Sequence, residues 1–268
     1  MHLIEISLTV EYGARRVLDG LELAMRAGEM LGLAGSSGSG KSTLALAVLG
    51  LLDWKGARLS GSVRLRGREL IGLGERRLRE IRGREIALVL QSASAALNPV
   101  MRIEAQLAEA WAAHARTPWK AQRAGLLQMF EAFRLPTADE FLRRYPDQIS
   151  AGQAQRVLIA MGLLHRPSLL IADEVTSALD AITAAEVIET LRHANREWGT
   201  AILFMSHDLH SMAQLCRRAV RLEQGRIEGE YRLSVPPAVT WMTNGDGLPG
   251  VDEQPADGAE QKQDTRQI

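Results

Sequence analysis

Gly35-Ser36-Ser37-Gly38-Ser39-Gly40-Lys41-Ser42 lies between two apolar runs, Glu29–Ala34 before it and Leu44–Leu52 after it. A Gly-x-x-x-x-Gly-Lys-Ser spacing between a strand and a helix is the pattern of a phosphate-binding loop. Glycines let backbone N–H groups curl around an anion. A helix starting at Lys41 turns its positive end toward that anion. Lys41 adds a point charge, and Ser42 offers a hydroxyl to Mg²⁺. An ordinary Gly/Ser turn would lack the Lys-Ser pair and the flanking elements.

Further strand ends carry polar groups. Leu169–Ala172 is a continuous apolar run, as a strand covered on both faces should be, and it ends in Asp173-Glu174. Ligands bind at the carboxyl edge of such parallel sheets. There Asp173 can reach a metal through water, and Glu174 can orient or deprotonate an attacking water. Ala201–Met205 leads to His207, which could donate to a phosphate oxygen, and Ile86–Leu90 leads to Gln91, which could touch Mg²⁺ or the water. Tyr12 ends a first strand over residues 3–12. Its ring either packs or stacks on a base.

Ile149-Ser150-Ala151-Gly152-Gln153 precedes an apolar helix. Ser150 is either a simple N-cap or, with the N–H groups of Ala151 and Gly152, a second anion-binding helix end. Thr183-Ala-Ala-Glu186 reads as a capping box opening a helix that Gly199 closes. Residues 61–72 read as a hairpin. Between about 98 and 160 the chain becomes rich in Ala, Leu, Arg and Glu, with Thr117-Pro118 and Thr137-Ala-Asp-Glu140 as helix starts. That composition predicts a helical subdomain inserted into an α/β domain.

Composition narrows the classes. Among 268 residues, 32 bases balance 32 acids, which disfavours a nucleic-acid binder. The one cysteine, Cys216, excludes an internal disulfide framework or a Cys-rich metal site. The longest apolar stretch is less than half of the about 20 residues a membrane-spanning helix needs. No basic-then-apolar leader opens the chain, so a cytoplasmic location is expected. From Pro236 the sequence turns Pro/Gly/Asp/Gln-rich. Residues 233–268 are expected to form an acidic, disordered tail after a domain spanning 1–232.

Taken in order, Tyr12, the 35–42 loop, Gln91, 149–153, Asp173-Glu174, Ser177-Ala-Leu-Asp180 and His207 make residues 3–230 resemble the ATP-binding subunits of ABC transporters. Leu97-Asn98-Pro99, Arg144–Ser150 and Ala172–Asp180 are similar to the dipeptide, oligopeptide and nickel importer branch. The resemblance implies an α/β P-loop NTPase: a RecA-like core, an antiparallel β subdomain and the inserted helical subdomain. It implies ATP and Mg²⁺ as ligands. Nucleotide would be held by Tyr12, Gly35, Ser36, Ser37, Gly38, Ser39, Gly40, Lys41, Ser42 and Thr43, and metal by Ser42, Gln91 and Asp173. Glu174, His207 and Gln91 would be catalytic.

In the same resemblance, Ser150, Ala151, Gly152 and Gln153 would act on the ATP of a second ATPase subunit, a paralogue or another copy, with Asp180 at the interface. Two transmembrane permeases would dock near Gln91, and an extracytoplasmic binding protein would deliver cargo. The subunit would sit on the cytoplasmic face of the membrane. Peptides, nickel and metal chelates all stay open as cargo.

Departures from the family pattern are Ile149 and Ala151 in the signature, Val175 where proline is common, and Ser92-Ala93 after the glutamine. The altered signature suggests an asymmetric pair. An ABC-type ATPase of a soluble complex is the alternative. A small-molecule kinase is opposed by residues 149–153, and a purely regulatory subunit by the complete catalytic set.

Overall fold

The computed structural model describes residues 1–52, 56–233 and 239–242. Two sheets carry the fold. The first is antiparallel, in the order β2-β1-β4-β5, from β1 (His2–Tyr12), β2 (Arg15–Arg26), β4 (Ala57–Leu65) and β5 (Arg68–Glu69). The second has the order β11-β10-β9-β3-β8-β7-β6. Its strands β3 (Met30–Ala34), β6 (Ile86–Val89), β7 (Leu169–Asp173), β8 (Ala201–Ser206) and β9 (Arg218–Glu223) run parallel. Strands β10 (Arg226–Leu233) and β11 (Val239–Met242) extend it antiparallel.

Every residue of β7 and β8 is buried. This is why both read as unbroken apolar runs rather than as alternating ones. Register aligns the strand ends: Ala34 pairs with Ser206, Asp173 with Met205, and Val89 with Ala172. Everything that follows these strands therefore emerges at one edge.

Helix α1 (Lys41–Val48) follows β3, and Gly50 (φ 62°) stops it before Leu51 and Leu52. Helix α2 (Glu75–Ile81) precedes β6. Between β6 and β7 come α3 (Ala93–Ala96), α4 (Ile103–Ala112), α5 (Trp119–Ala132), α6 (Asp139–Leu142), a 3₁₀ turn (Pro146–Gln148) and α7 (Ala151–Leu163). Fully buried Phe130 meets Phe141 edge-on at 6.1 Å and ties α5 to α6. Helices α8 (Ala181–Trp198) and α9 (Leu209–Leu215) complete the layer. A parallel core, an antiparallel sheet and helices inserted after β6 make up the expected P-loop NTPase architecture. No helix among the described residues is long and apolar enough to cross a membrane.

Three helix starts differ from the sequence reading. Helix α8 is capped by Asp180, whose carboxylate accepts from the N–H groups of Ile182 (3.1 Å) and Thr183 (3.0 Å). Thr183 lies inside the helix and donates its own hydroxyl to Asp180 (2.7 Å). An ionised carboxylate at the positive helix end outcompetes a hydroxyl three residues later. Pro118, not Thr117, is the N-cap of α5, and Ala138, not Thr137, that of α6, without side-chain caps. Strand β11 falls inside the span expected to be tail; its remainder, 234–238 and 243–268, lies outside the described residues.

Candidate functional site

The loop Gly35–Gly40 links β3 to α1, and its glycines have distinct reasons. Gly38 (φ 80°) and Gly40 (φ 113°) adopt left-handed backbone, which a side chain strains. A Cβ on Gly35 would lie 2.6 Å from both the Leu222 carbonyl and Ser39 Oγ. The Ser39 hydroxyl is buried and has no hydrogen-bond partner among the described residues. An unpaired buried hydroxyl costs about 1–3 kcal/mol, so it stands ready for an added ligand. Ser36 instead donates to Glu223 Oε1 at 3.2 Å.

Lys41 is buried, and its ammonium is fully committed. It donates to the carbonyls of Gly35 (2.7 Å) and Ser36 (3.1 Å) and pairs with Glu174 Oε1 at 3.3 Å. The other carboxylate oxygen of Glu174 meets His207 Nδ1 at 2.7 Å. Glu174 has φ 53°, a left-handed conformation costing a non-glycine residue about 1–3 kcal/mol. Its N–H donates to Met205 O at 2.9 Å. This sharp bend off the end of β7 turns the carboxylate toward the loop.

Ser42 Oγ donates to Asp173 Oδ2 at 2.7 Å, while Asp173 Oδ1 is buried without a partner among the described residues. Burial pushes the Asp173 carboxyl above its ordinary pKa; the Glu174 charge adds to this, while Ser42 and Lys41 oppose it. An orphaned carboxylate oxygen beside a hydroxyl oxygen is a hard, oxygen-only donor set of the kind Mg²⁺ takes. The residues thus fit the metal implied by the sequence.

Gln91 follows β6 but bonds away from this pair. Its Nε2 donates to Ser177 Oγ (3.0 Å), and that hydroxyl donates to the Glu174 carbonyl (2.9 Å). Ser177 was singled out only as part of a turn, and its bridging role carries no signal in sequence. Tyr12 is half-buried at the end of β1, paired with Arg15 and Ala57 and packed against the core between the sheets.

Ser150 caps α7 in a reciprocal box: Gln153 N–H donates to Ser150 Oγ (3.2 Å), and Ser150 N–H to Gln153 Oε1 (3.1 Å). Ala151 is exposed and Gly152 buried. Among the described residues, these form no hydrogen bond with the phosphate loop of their own chain. Asp180 caps α8, and its carboxyl is held below the usual range, chiefly by the Thr183 hydroxyl. The structure therefore gathers two bonded sets side by side, Lys41–Glu174–His207 and Ser42–Asp173, with Gln91 reaching the Glu174 backbone through Ser177.

The chain matches the family model described as "ABC transporter" over residues 18–177, more than half its length. It is 38% identical over 223 residues to the oligopeptide transport ATP-binding protein OppD of Salmonella typhimurium, covering 83% of this chain and 66% of that one. It is 38% identical over 218 residues to a probable peptide ABC transporter ATP-binding protein of Sinorhizobium fredii, covering 81% and 65%. The chain thus spans slightly under two thirds of the length of these relatives. Among solved structures, an ATP-binding cassette in a dimeric post-hydrolysis state bound to ADP and Pi is similar, with TM-score 0.71 and 26% identity over 85% of this chain and 98% of that one. Sequence match and shared architecture agree: the chain belongs to the ABC transporter family.

Proposed function

We propose that the chain binds ATP with Mg²⁺ and hydrolyses it as the energy-coupling subunit of a peptide importer. The observation that carries this is the bonded cluster Lys41–Glu174–His207 beside Ser42–Asp173, at the mouth of the 35–42 loop. The names of the curated relatives support peptides over nickel as cargo.

The chain's own residues divide the work. Backbone N–H groups of the loop and the Lys41 ammonium bind the β- and γ-phosphates, Lys41 exchanging its carbonyl and Glu174 partners for phosphate oxygens. Ser42 and Asp173, with Gln91 after the end of β6, would hold Mg²⁺, which would supply positive charge to offset that of the phosphates. Glu174, released from Lys41, orients the attacking water and takes its proton. His207 stays within reach of Glu174 and donates toward the γ-phosphate. Tyr12 stacks on the base. Ser150, Ala151, Gly152 and Gln153 complete the site on a second ATPase subunit, copy or paralogue, whose interface includes Asp180. Two permeases on the membrane receive the motion near Gln91, and an external binding protein supplies the cargo.

Glu174→Gln tests the reading. ATP binding should persist while turnover falls by about 10²–10⁴-fold, the usual worth of a general base. Unchanged turnover would remove Glu174 from the chemistry.

A further inference from the structure

Away from the 35–42 loop, a cation with four polar partners is buried inside the helical layer. Arg156 on α7 is only 7% exposed. Its Nε donates to Gly152 O (3.2 Å), its Nη1 to Phe133 O (3.2 Å) and Arg134 O (3.3 Å), and its Nη2 pairs with Glu186 Oε2 on α8 (3.1 Å). One guanidinium thus joins the first turn of α7, the closing turn of α5 and the start of α8. Those carbonyls end α5, where Arg134 itself turns left-handed (φ 52°) and leaves the negative helix end in need of donors. The fork geometry suits a multi-acceptor role that a point charge on a flexible stem cannot fill.

A second contact lies one helical turn away. A Cβ on Gly152 would sit 2.1 Å from Thr183 Cγ2, so the α7 backbone rides directly on the Thr183 methyl. Thr183 is in turn fixed by Asp180. Residues 152 and 156 therefore face 183 and 186, helix turn against helix turn.

We propose that Arg156 and Glu186 form an internal clamp that registers the first turn of α7 on the first turn of α8, so that Ser150–Gln153 and Asp180 are presented as one rigid unit. Arg156 and Glu186 are positioning residues; neither meets nucleotide in its own chain. The inserted helical layer and the parallel core would then move with this joint intact. The kinetic consequence rests on the ATPase reading, whereas the clamp itself does not.

Removing Arg156 would strand Glu186 and three carbonyls, so the test is placed on Glu186, which is partly exposed. Hydrogen–deuterium exchange on the nucleotide-free full chain should show the N–H groups of residues 153–157 exchanging about tenfold faster in Glu186→Ala, with residues 35–42 unchanged. Mg·ATP affinity of the chain should stay within about twofold, while the assembled ATPase loses kcat at unchanged KM, as expected when only transition-state contacts are misplaced. Glu186→Gln, which keeps the acceptor, should restore part of both effects, and Arg156→Lys should not substitute for the fork. Unchanged exchange at 153–157 would overturn the clamp. Faster exchange with unaltered kcat would overturn its role in presentation. If the unsubstituted chain failed to bind Mg·ATP, the ATPase reading would fall, and the exchange result would still decide the clamp.

Discussion

Asp173 is held in a setting that disfavours its charge: buried, one oxygen unpartnered, next to Glu174. Its folded pKa is raised above the unfolded value, so ionisation at neutral pH lowers stability, and the penalty shrinks as pH falls and the carboxyl protonates. Asp173→Asn should therefore raise the melting temperature of the nucleotide-free protein at pH 7, by about 2–4 °C for each kcal/mol recovered. The gain should narrow toward acid pH, and Mg²⁺-dependent turnover should be lost. Scanning calorimetry at two pH values checks this; a lower melting temperature at pH 7 would contradict it. The residue scale was also where sequence misled. Thr183-x-x-Glu186 fits a capping box, yet Asp180, three residues earlier, takes the cap, because spacing alone does not rank competing acceptors at a helix start. The bridging role of Ser177 is illegible for a related reason: its hydroxyl joins Gln91 to Glu174 through contacts 86 and 3 residues apart, and no local pattern encodes the longer one.

At the scale of elements, Gly152 predicts a double-mutant result. Gly152→Ala drives a methyl into Thr183 and should cost about 1–3 kcal/mol by overpacking. Thr183→Ser removes the obstructing methyl while keeping the hydroxyl on Asp180, and in the double variant it should recover most of that loss. Denaturant melts of the four proteins check it, and strictly additive effects would count against the contact. Strands β3, β6, β7 and β8 were legible because parallel strands buried on both faces read as short apolar runs. Strand β2 was not. Its inward set, Leu21, Leu23 and Met25, alternates cleanly, but Gly20 (φ 59°) and a register shift opposite Val10 break the alternation from Leu18. Shape is a poor guide here as well. A wide groove lined by Arg26, Glu29, Arg218 and Glu230 contains none of Lys41, Ser42, Asp173, Glu174 and His207, which the loop and strand-end motifs name.

Across the whole molecule, the site exists because register brings Ala34, Val89, Asp173 and Ser206 to one edge. A few residues of sequence after each strand therefore sufficed to list the cluster, while its internal bonding needed coordinates. Lys41 spends all three of its donors on Gly35, Ser36 and Glu174, which neither charge count nor spacing could disclose. Ser150 and Gln153 bond to each other in a capping box and, among the described residues, not to the phosphate loop of their own chain. In Glu174→Gln with Mg·ATP, where nucleotide persists, light scattering should record association with a second ATPase subunit that reverses when ATP is withdrawn. Association indifferent to ATP would count against a shared nucleotide.

The most direct measurement is calorimetric titration of Mg·ATP into the purified chain and into Lys41→Ala. Saturable binding by the chain, weakened at least about tenfold in Lys41→Ala by loss of a charge-assisted contact, is the predicted result. Absence of binding, or equal affinity in both proteins, would show that the loop at residues 35–42 does not hold the triphosphate.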